Sequence, residues 1–514
     1  MRQKLAIKSS MIGIVAQMAT VLISFISTKL FVRFIGLEAQ GINGVVGNML
    51  GLLQLSELGI GTAITYALYQ PIVDRNEREI CIVMRMFKNA YRVIGTVVFI
   101  AGIILSFFID FFMESHNYSR QEVLLAYYIL LISSVATYFL AYKRNLLYAD
   151  QKQYIITMID MLCSVAFGII KIASILLFKS YHIYLTVTIL QTITANIIVS
   201  LVCNRHYPYL KQKIKDKYDK IDELKKNILN LIIGKFGGFV YSSTDNMIIS
   251  KFSGLAAVGY ITNYKYIYTM LTGLLNSVTS PIQPMIGNYI REYKETQKSY
   301  ELFKAYTYIR FFLASIVTVG FAISADALIA LWIGEEYLLT MLVVFLMSLD
   351  VLLGAMQGPA GEYMTVLGYF QYDKYMSLIG AAINLTTSIW FSNYIGIAGV
   401  LLGTVITQIF YWIIRVYIVY KNYFKRTPFE YIWLTIRCGI CLVAELGILY
   451  QIKQSFFTDN ITIPRFIVLA LLCLLITMAI NVLLFVGTKE LKFLMSIMNK
   501  LPVLNRFFKK GTEK

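Results

Sequence analysis

Charge is scarce in this sequence: only 15% of its 514 residues are Asp, Glu, Lys or Arg, against about a quarter in a soluble globular chain. The charged residues gather in short connectors between apolar stretches of twenty or more residues, and no polar segment is long enough to fold as a soluble domain. That excludes an ordinary soluble enzyme. A GxxxxGK[ST] phosphate loop is missing, so ATP hydrolysis by this chain is not expected. Also missing is a large, carboxylate-rich outer loop of the kind a glycosyltransferase or polymerase site would occupy. Histidine is limited to His116, His182 and His206, all near span ends, which speaks against a metal cluster. The six cysteines lie in or at the ends of apolar runs. Cys438 and Cys441 form a CxxC inside one of them, and without a second ligand pair they read as small packing residues. No cleavable signal sequence is evident: the first apolar run exceeds the core of a signal peptide and lacks a small-residue cleavage site, so it is expected to stay as the first helix.

What is abundant is apolar sequence: 58% of residues are hydrophobic and the mean hydropathy is +0.64. The runs are too long and too continuous for the alternating strands of a β-barrel, so they predict membrane-spanning helices. Fourteen are expected, at 12–34, 41–69, 90–112, 122–142, 154–178, 182–203, 228–251, 255–286, 306–330, 338–366, 375–393, 396–420, 430–451 and 463–487. The net charge of +18 is a topology signal rather than a nucleic-acid surface. With the N-terminus in the cytoplasm, 35 of the 47 Lys and Arg residues fall in inner segments, which predicts both termini inside. These basic segments also face anionic lipid headgroups. The connector 204–227 separates six early spans from eight later ones. Residues 488–514 read as a basic amphipathic tail along the inner interface.

An internal repeat organises the spans. Phe-Ile-Gly-Leu-Glu-Ala-Gln-Gly at 34–41 follows the first span, and Phe-Ser-Gly-Leu-Ala-Ala-Val-Gly at 252–259 follows the seventh. A shift of 218 residues aligns them without a gap, superposing spans one and two on seven and eight and Arg33 on Lys251. The expected architecture is all-α: two six-helix bundles, 1–203 and 228–420, related by a pseudo-two-fold axis along the membrane normal. Helices 13 and 14 follow at 421–487. Such a parallel repeat places a cavity between bundles and permits alternating access.

Charges within spans are costly, so each needs a cavity, a partner or a route to the interface. Lys29 and Arg33 share one face near the outer end of the first span. Lys235 lies on a stripe with Phe239, Ser242 and Asn246. Lys265 sits among Tyr260, Tyr264 and Tyr268 at four-residue spacing. An ion pair or a snorkelled end accounts for each of these cations singly as well as a ligand contact does; together they favour an anionic substrate headgroup. Glu57 and Asp350 fall near mid-span and either titrate with a driving ion or pair with the lysines. Asp245, in Ser-Ser-Thr-Asp-Asn at 242–246, either lines a cavity or binds a cation. Pro281 and Pro284 break the eighth span and read as a hinge or a static kink. Tyrosines, 37 in all, suit interfacial belts first and sugar stacking second.

Several segments carry a resemblance: Lys-Ser-Ser-Met-Ile-Gly at 8–13, Leu-Ser-Glu-Leu-Gly-Ile-Gly at 55–61, Ser-Ser-Thr-Asp-Asn-Met-Ile-Ile at 242–249, and the Pro281/Pro284 segment. Over essentially its whole length the chain resembles the polysaccharide-transporter branch of the multidrug/oligosaccharidyl-lipid/polysaccharide exporter superfamily, the O-antigen and capsule repeat-unit flippases of bacteria. The resemblance implies a multi-pass protein of the bacterial inner membrane that moves undecaprenyl-pyrophosphate-linked oligosaccharides between leaflets, without enzymatic chemistry or a cofactor. It implies a cationic central cavity, to which Lys29, Arg33, Lys235 and Lys265 are assigned by position, with Tyr264 for sugars. Proton or sodium coupling is expected through Asp245, Glu57 or Asp350. Membrane lipids and polysaccharide-assembly proteins such as a polymerase are the expected partners. A multidrug antiporter of the same superfamily is the alternative, and it would want an acidic cavity.

Overall fold

The computed structural model describes residues 19–53, 67–68, 70–113, 117–150, 152–212, 244–279, 286, 290, 296–456 and 462–488. These are almost entirely helical, with about fourteen helices of seven residues or more. In chain order they are α1 (19–34), α2 (Leu37–Leu53), α3 (Glu77–Ser106), α4 (Arg120–Ala141), α5 (Gln153–Phe178), α6 (Tyr181–His206) and α7 (244–253). Then follow α8 (Leu255–Thr279), α9 (Thr296–Trp332), α10 (Met341–Val366), α11 (Phe370–Ile395), α12 (Ile397–Val419), α13 (Phe429–Phe456) and α14 (Ile463–Phe485). Each corresponds to one expected span. Nine of those described are long and apolar enough to cross a bilayer.

Helix starts are fixed by local chemistry. The Asn76 side chain accepts the Glu79 N–H to open α3, and Ser119 with Glu122 forms a reciprocal capping box that opens α4. Polar first turns carry several helices beyond the apolar stretch. The α9 helix has 37 residues, about 55 Å at 1.5 Å per residue, and so outruns the hydrocarbon core.

The chain divides into two compact units, Met1–Gly259 and Tyr260–Lys514. In the first, Val83, Phe87 and Tyr91 of α3 pack with Tyr138 of α4, Ile156 of α5 and Val199 of α6. In the second, Phe303 and Tyr306 of α9 meet Tyr363 of α10 and Val416 of α12. A further cluster joins Tyr308 and Phe311 of α9 to Leu434 and Cys438 of α13 and Phe485 of α14. Bilayer-embedded helices gain little from the hydrophobic effect, so close packing and polar contacts hold them together. The α11–α12 hairpin shows this: Cβ atoms on Gly399 and Gly403, one turn apart, would lie 2.3 Å from the Phe391 backbone and the Ser388 hydroxyl.

The two repeat turns adopt the same conformation at equivalent places. Gly36 and Gly254, 218 residues apart, have φ of +105° and +85°, values that favour glycine. Moreover the turns meet each other reciprocally. A Cβ on Gly41 would lie 2.0 Å from the Leu255 carbonyl oxygen, and one on Gly259 would lie 2.6 Å from that of Leu37. Gly41 and Gly259 are repeat equivalents, and so are Leu37 and Leu255. Residue i meeting j while j's equivalent meets i's is the signature of a local two-fold relation. The glycines are where two helix backbones touch.

Candidate functional site

Of the residues expected at a substrate cavity, Lys29 and Arg33 are exposed on α1, the Arg33 guanidinium lying 5.7 Å from the centre of the Phe34 ring. Asp245 is half-buried on α7, next to Asn246, whose amide donates to Asn48 Oδ1 (3.2 Å) on α2. Lys235, Glu57, Pro281 and Pro284 lie outside the described residues.

Tyr264 is fully buried. Its hydroxyl donates to Asp326 Oδ1 of α9 at 2.7 Å and accepts the Leu339 N–H at 3.2 Å, tying α8 to α9 and to the segment before α10. One turn on, Tyr268 donates to Asp350 Oδ2 at 2.6 Å, and Gln408 of α12 donates to Asp350 Oδ1 at 2.9 Å. Lys265 lies within electrostatic reach of the same carboxylate. The hydrogen bonds that hold the Asp350 carboxylate come from Tyr268 and Gln408.

From Asp350 a polar chain continues through the second unit. Gln408 accepts from Gln357 of α10, which accepts from Arg415 Nη1 at 2.8 Å; Arg415 Nη2 reaches Asp373 of α11 at 3.1 Å. Tyr268, Asp350, Gln408, Gln357, Arg415 and Asp373 thus link four helices from mid-span of α10 to the first turn of α11. Asp350 and Arg415 stand out in the sequence as intramembrane charges. The glutamines do not, because neutral amides carry no charge signal.

Other intramembrane charges find partners of their own. Glu362 of α10 accepts from Arg310 and, at 2.7 Å, from the Tyr306 hydroxyl, both of α9, while Arg310 also donates to Thr279 at 3.0 Å. Arg310 lies inside α9 and is 7% exposed. Gly358 leaves room for its guanidinium, since a Cβ there would lie 2.4 Å from Nη2. In the first unit Arg144 grips Asp160 with two 2.8 Å bonds and donates to Asn196. Lys171 donates to Gln191 at 2.8 Å.

The first unit also holds a cavity of about 510 Å³ between α2, α4 and α6. Asn43, Ser133, Ser134, Thr137, Thr188 and Thr192 line it along with Tyr138, Tyr184 and the aliphatic Leu50, Leu130 and Leu185. Among the described residues no charged group lines it. The Tyr181 hydroxyl donates to Asn43 Oδ1 at 2.7 Å and orients that amide. A wall of hydroxyls and one amide offers both donors and acceptors, which suits neutral, many-hydroxyl groups. Its signal in the sequence is a serine–threonine spacing on α4 and α6, at 133, 134, 137, 188 and 192, visible only once the two helices are known to face each other.

Comparison with known proteins decides the family. The sequence pattern of the family described as "polysaccharide biosynthesis protein" matches residues 6–290, more than half of the chain. The chain belongs to that family. No curated protein sequence matches it. Among solved structures, this polysaccharide biosynthesis protein is similar to the lipid II flippase MurJ in an inward closed conformation. The TM-score is 0.67 at 14% identity, covering 92% of this chain and 99% of that one. It is also similar to an inward-facing multidrug resistance MATE transporter of the MOP superfamily, with TM-score 0.60, 14% identity, and 83% and 98% coverage. At such identities the likeness is one of fold. The chain is thus a multi-pass membrane protein of the polysaccharide biosynthesis family, with a MurJ- and MATE-like helical fold.

Proposed function

We propose that this polysaccharide biosynthesis protein is a flippase. It moves undecaprenyl-pyrophosphate-linked oligosaccharide repeat units from the cytoplasmic to the outer leaflet of the bacterial inner membrane, by alternating access between two six-helix bundles, with both termini cytoplasmic. The observation that carries this reading is the family match joined to a fold shared with a lipid II flippase over nearly the whole chain. Moving a hydrophilic head through hydrocarbon requires a shielded polar path, and the hydroxyl-lined cavity of the first unit supplies sugar-compatible groups. Lys29, Arg33, Lys235 and Lys265 compensate the pyrophosphate. Asp350, hydrogen-bonded on both oxygens and close to Lys265, is the foremost candidate for proton or sodium coupling, with Asp245 and Glu57 behind it, and Pro281 and Pro284 supply a hinge. Membrane lipids surround the exposed apolar faces, and polysaccharide-assembly proteins are the expected partners.

The likeness to MATE transporters supports a second reading, export of organic cations. Binding separates the two. Purified protein should take up a short-chain prenyl-pyrophosphate oligosaccharide and ignore lipophilic cations; saturable binding of the cations alone would put the antiporter first.

A further inference from the structure

One buried carboxyl lies outside the networks described above. Glu445 of α13 is wholly buried, as are Thr477 and Asn481 of α14. The Asn481 amide donates to Glu445 Oε1 at 2.6 Å and also reaches Ser315 Oγ of α9 at 2.9 Å and the Thr477 carbonyl at 3.0 Å. Cys441 gives a weaker S–H contact to Glu445 Oε1 at 3.3 Å. Three oxygens in this cluster have no hydrogen-bond partner among the described residues: Glu445 Oε2, Thr477 Oγ1 and Asn481 Oδ1. Thr307, Thr404 and Thr407 each give their hydroxyl to the carbonyl four residues back, whereas Thr477, like Thr318 and Thr435, does not.

The described surroundings offer no countercharge. From α13 itself the neighbouring titratable groups are the thiols Cys438 and Cys441. From α14 comes Cys473, and from α9 the Tyr308 phenol, which donates to the Asn481 carbonyl at 3.4 Å; α10 contributes the apolar Met356 and Leu352. Among the described residues Glu445 forms no ion pair; Lys453 lies two turns farther along α13 and acts on Cys473. An ionised carboxylate in such a place carries a large desolvation penalty that one amide and one thiol do not offset. A proton on Oε2 removes the charge and turns a bare acceptor into a donor. Three free oxygens also fall short of the six or so that a hard metal cation gathers.

We propose that Glu445 is a proton-binding site, loaded in this conformation, which lets the α13–α14 pair close against α9 through the Asn481–Ser315 contact. This site stands apart from the substrate reading and does not depend on it. The test is infrared spectroscopy of the full-length protein in lipid nanodiscs at neutral pH. The wild-type spectrum should contain a protonated-carboxyl C=O band that Glu445→Gln loses. Thermal stability of the wild type should fall relative to Glu445→Gln as the pH is raised, since the Gln amide cannot ionise. Identical carboxyl bands in the two proteins would overturn the proposal. So would loss of the wild-type band on adding sodium in place of choline, which would make this a sodium site. Should the Gln variant not fold, Asn481→Leu serves instead: removing the amide donor shifts the Glu445 band, and an unshifted band refutes the assignment.

Discussion

The reciprocal glycines Gly41 and Gly259 give the sharpest structural prediction. An Ala Cβ at position 41 would lie 2.0 Å from the Leu255 carbonyl oxygen, 1.4 Å short of the 3.4 Å at which ordinary contact begins. At position 259 the distance to the Leu37 oxygen is 2.6 Å, a shortfall of 0.8 Å. The obstacles are backbone atoms, which cannot rotate away as a side chain end would. Gly41→Ala must push the two helices apart by more than an ångström, which sets its cost at the upper end of the ~1–3 kcal/mol of overpacking or beyond, against about 1 kcal/mol regained from Ala's helix propensity. Gly259→Ala should cost less. Gly47 of α2 and Gly273 of α8 have nothing within 4 Å of a Cβ, so Ala there should leave stability unchanged or raise it by up to ~1 kcal/mol. Thermal unfolding in detergent, followed by loss of the monodisperse chromatographic peak, ranks the four variants. The predicted order of loss is Gly41→Ala, then Gly259→Ala, with no loss for the other two. A Gly41→Ala protein as stable as wild type, or one no worse than Gly47→Ala, would refute the close approach of the turns.

Further outcomes follow from the polar networks. Arg310→Met strands the buried Glu362 and should destabilise by about 3–5 kcal/mol, while Arg310→Met with Glu362→Leu should recover most of it; thermal melts of the two variants decide. Arg415→Lys loses the planar fork that serves Gln357 and Asp373 together, so it should lower stability where a surface Arg→Lys change does not. Asp350→Asn should fold normally yet remove the response of transport to an imposed proton or sodium gradient, which vesicle assays with and without the gradient read. Ser134→Val with Thr188→Val should weaken oligosaccharide headgroup binding while leaving the melting temperature unchanged.

Fold was legible to the extent that it follows from hydropathy and periodicity. Long apolar runs with charged punctuation marked all fourteen helices. Their ends were less legible: α3 begins at Glu77 and α9 at Thr296, thirteen and ten residues before the expected spans, because hydropathy reads the membrane edge and hydrogen bonding reads the helix. The repeat was visible as a spacing of 218, and its physical meaning appeared only when Gly41 met Leu255. Charged residues within spans could be named but not paired. Which carboxylate meets which cation depends on helix rotation, so Glu362 with Arg310 and Lys265 near Asp350 emerged from the structure alone. Neutral partners such as Gln357, Gln408 and Asn481 were invisible for a different reason: an amide in a span costs too little to stand out in a sequence.

The central claim is translocation of a lipid-linked glycan, and leaflet exchange tests it most directly. Protein reconstituted in vesicles with fluorescent prenyl-pyrophosphate oligosaccharide should expose the label on the opposite leaflet faster than protein-free vesicles do, and Lys29→Ala, Lys235→Ala and Lys265→Ala should slow it. Exchange no faster than in protein-free vesicles, with an authentic lipid, would contradict the account.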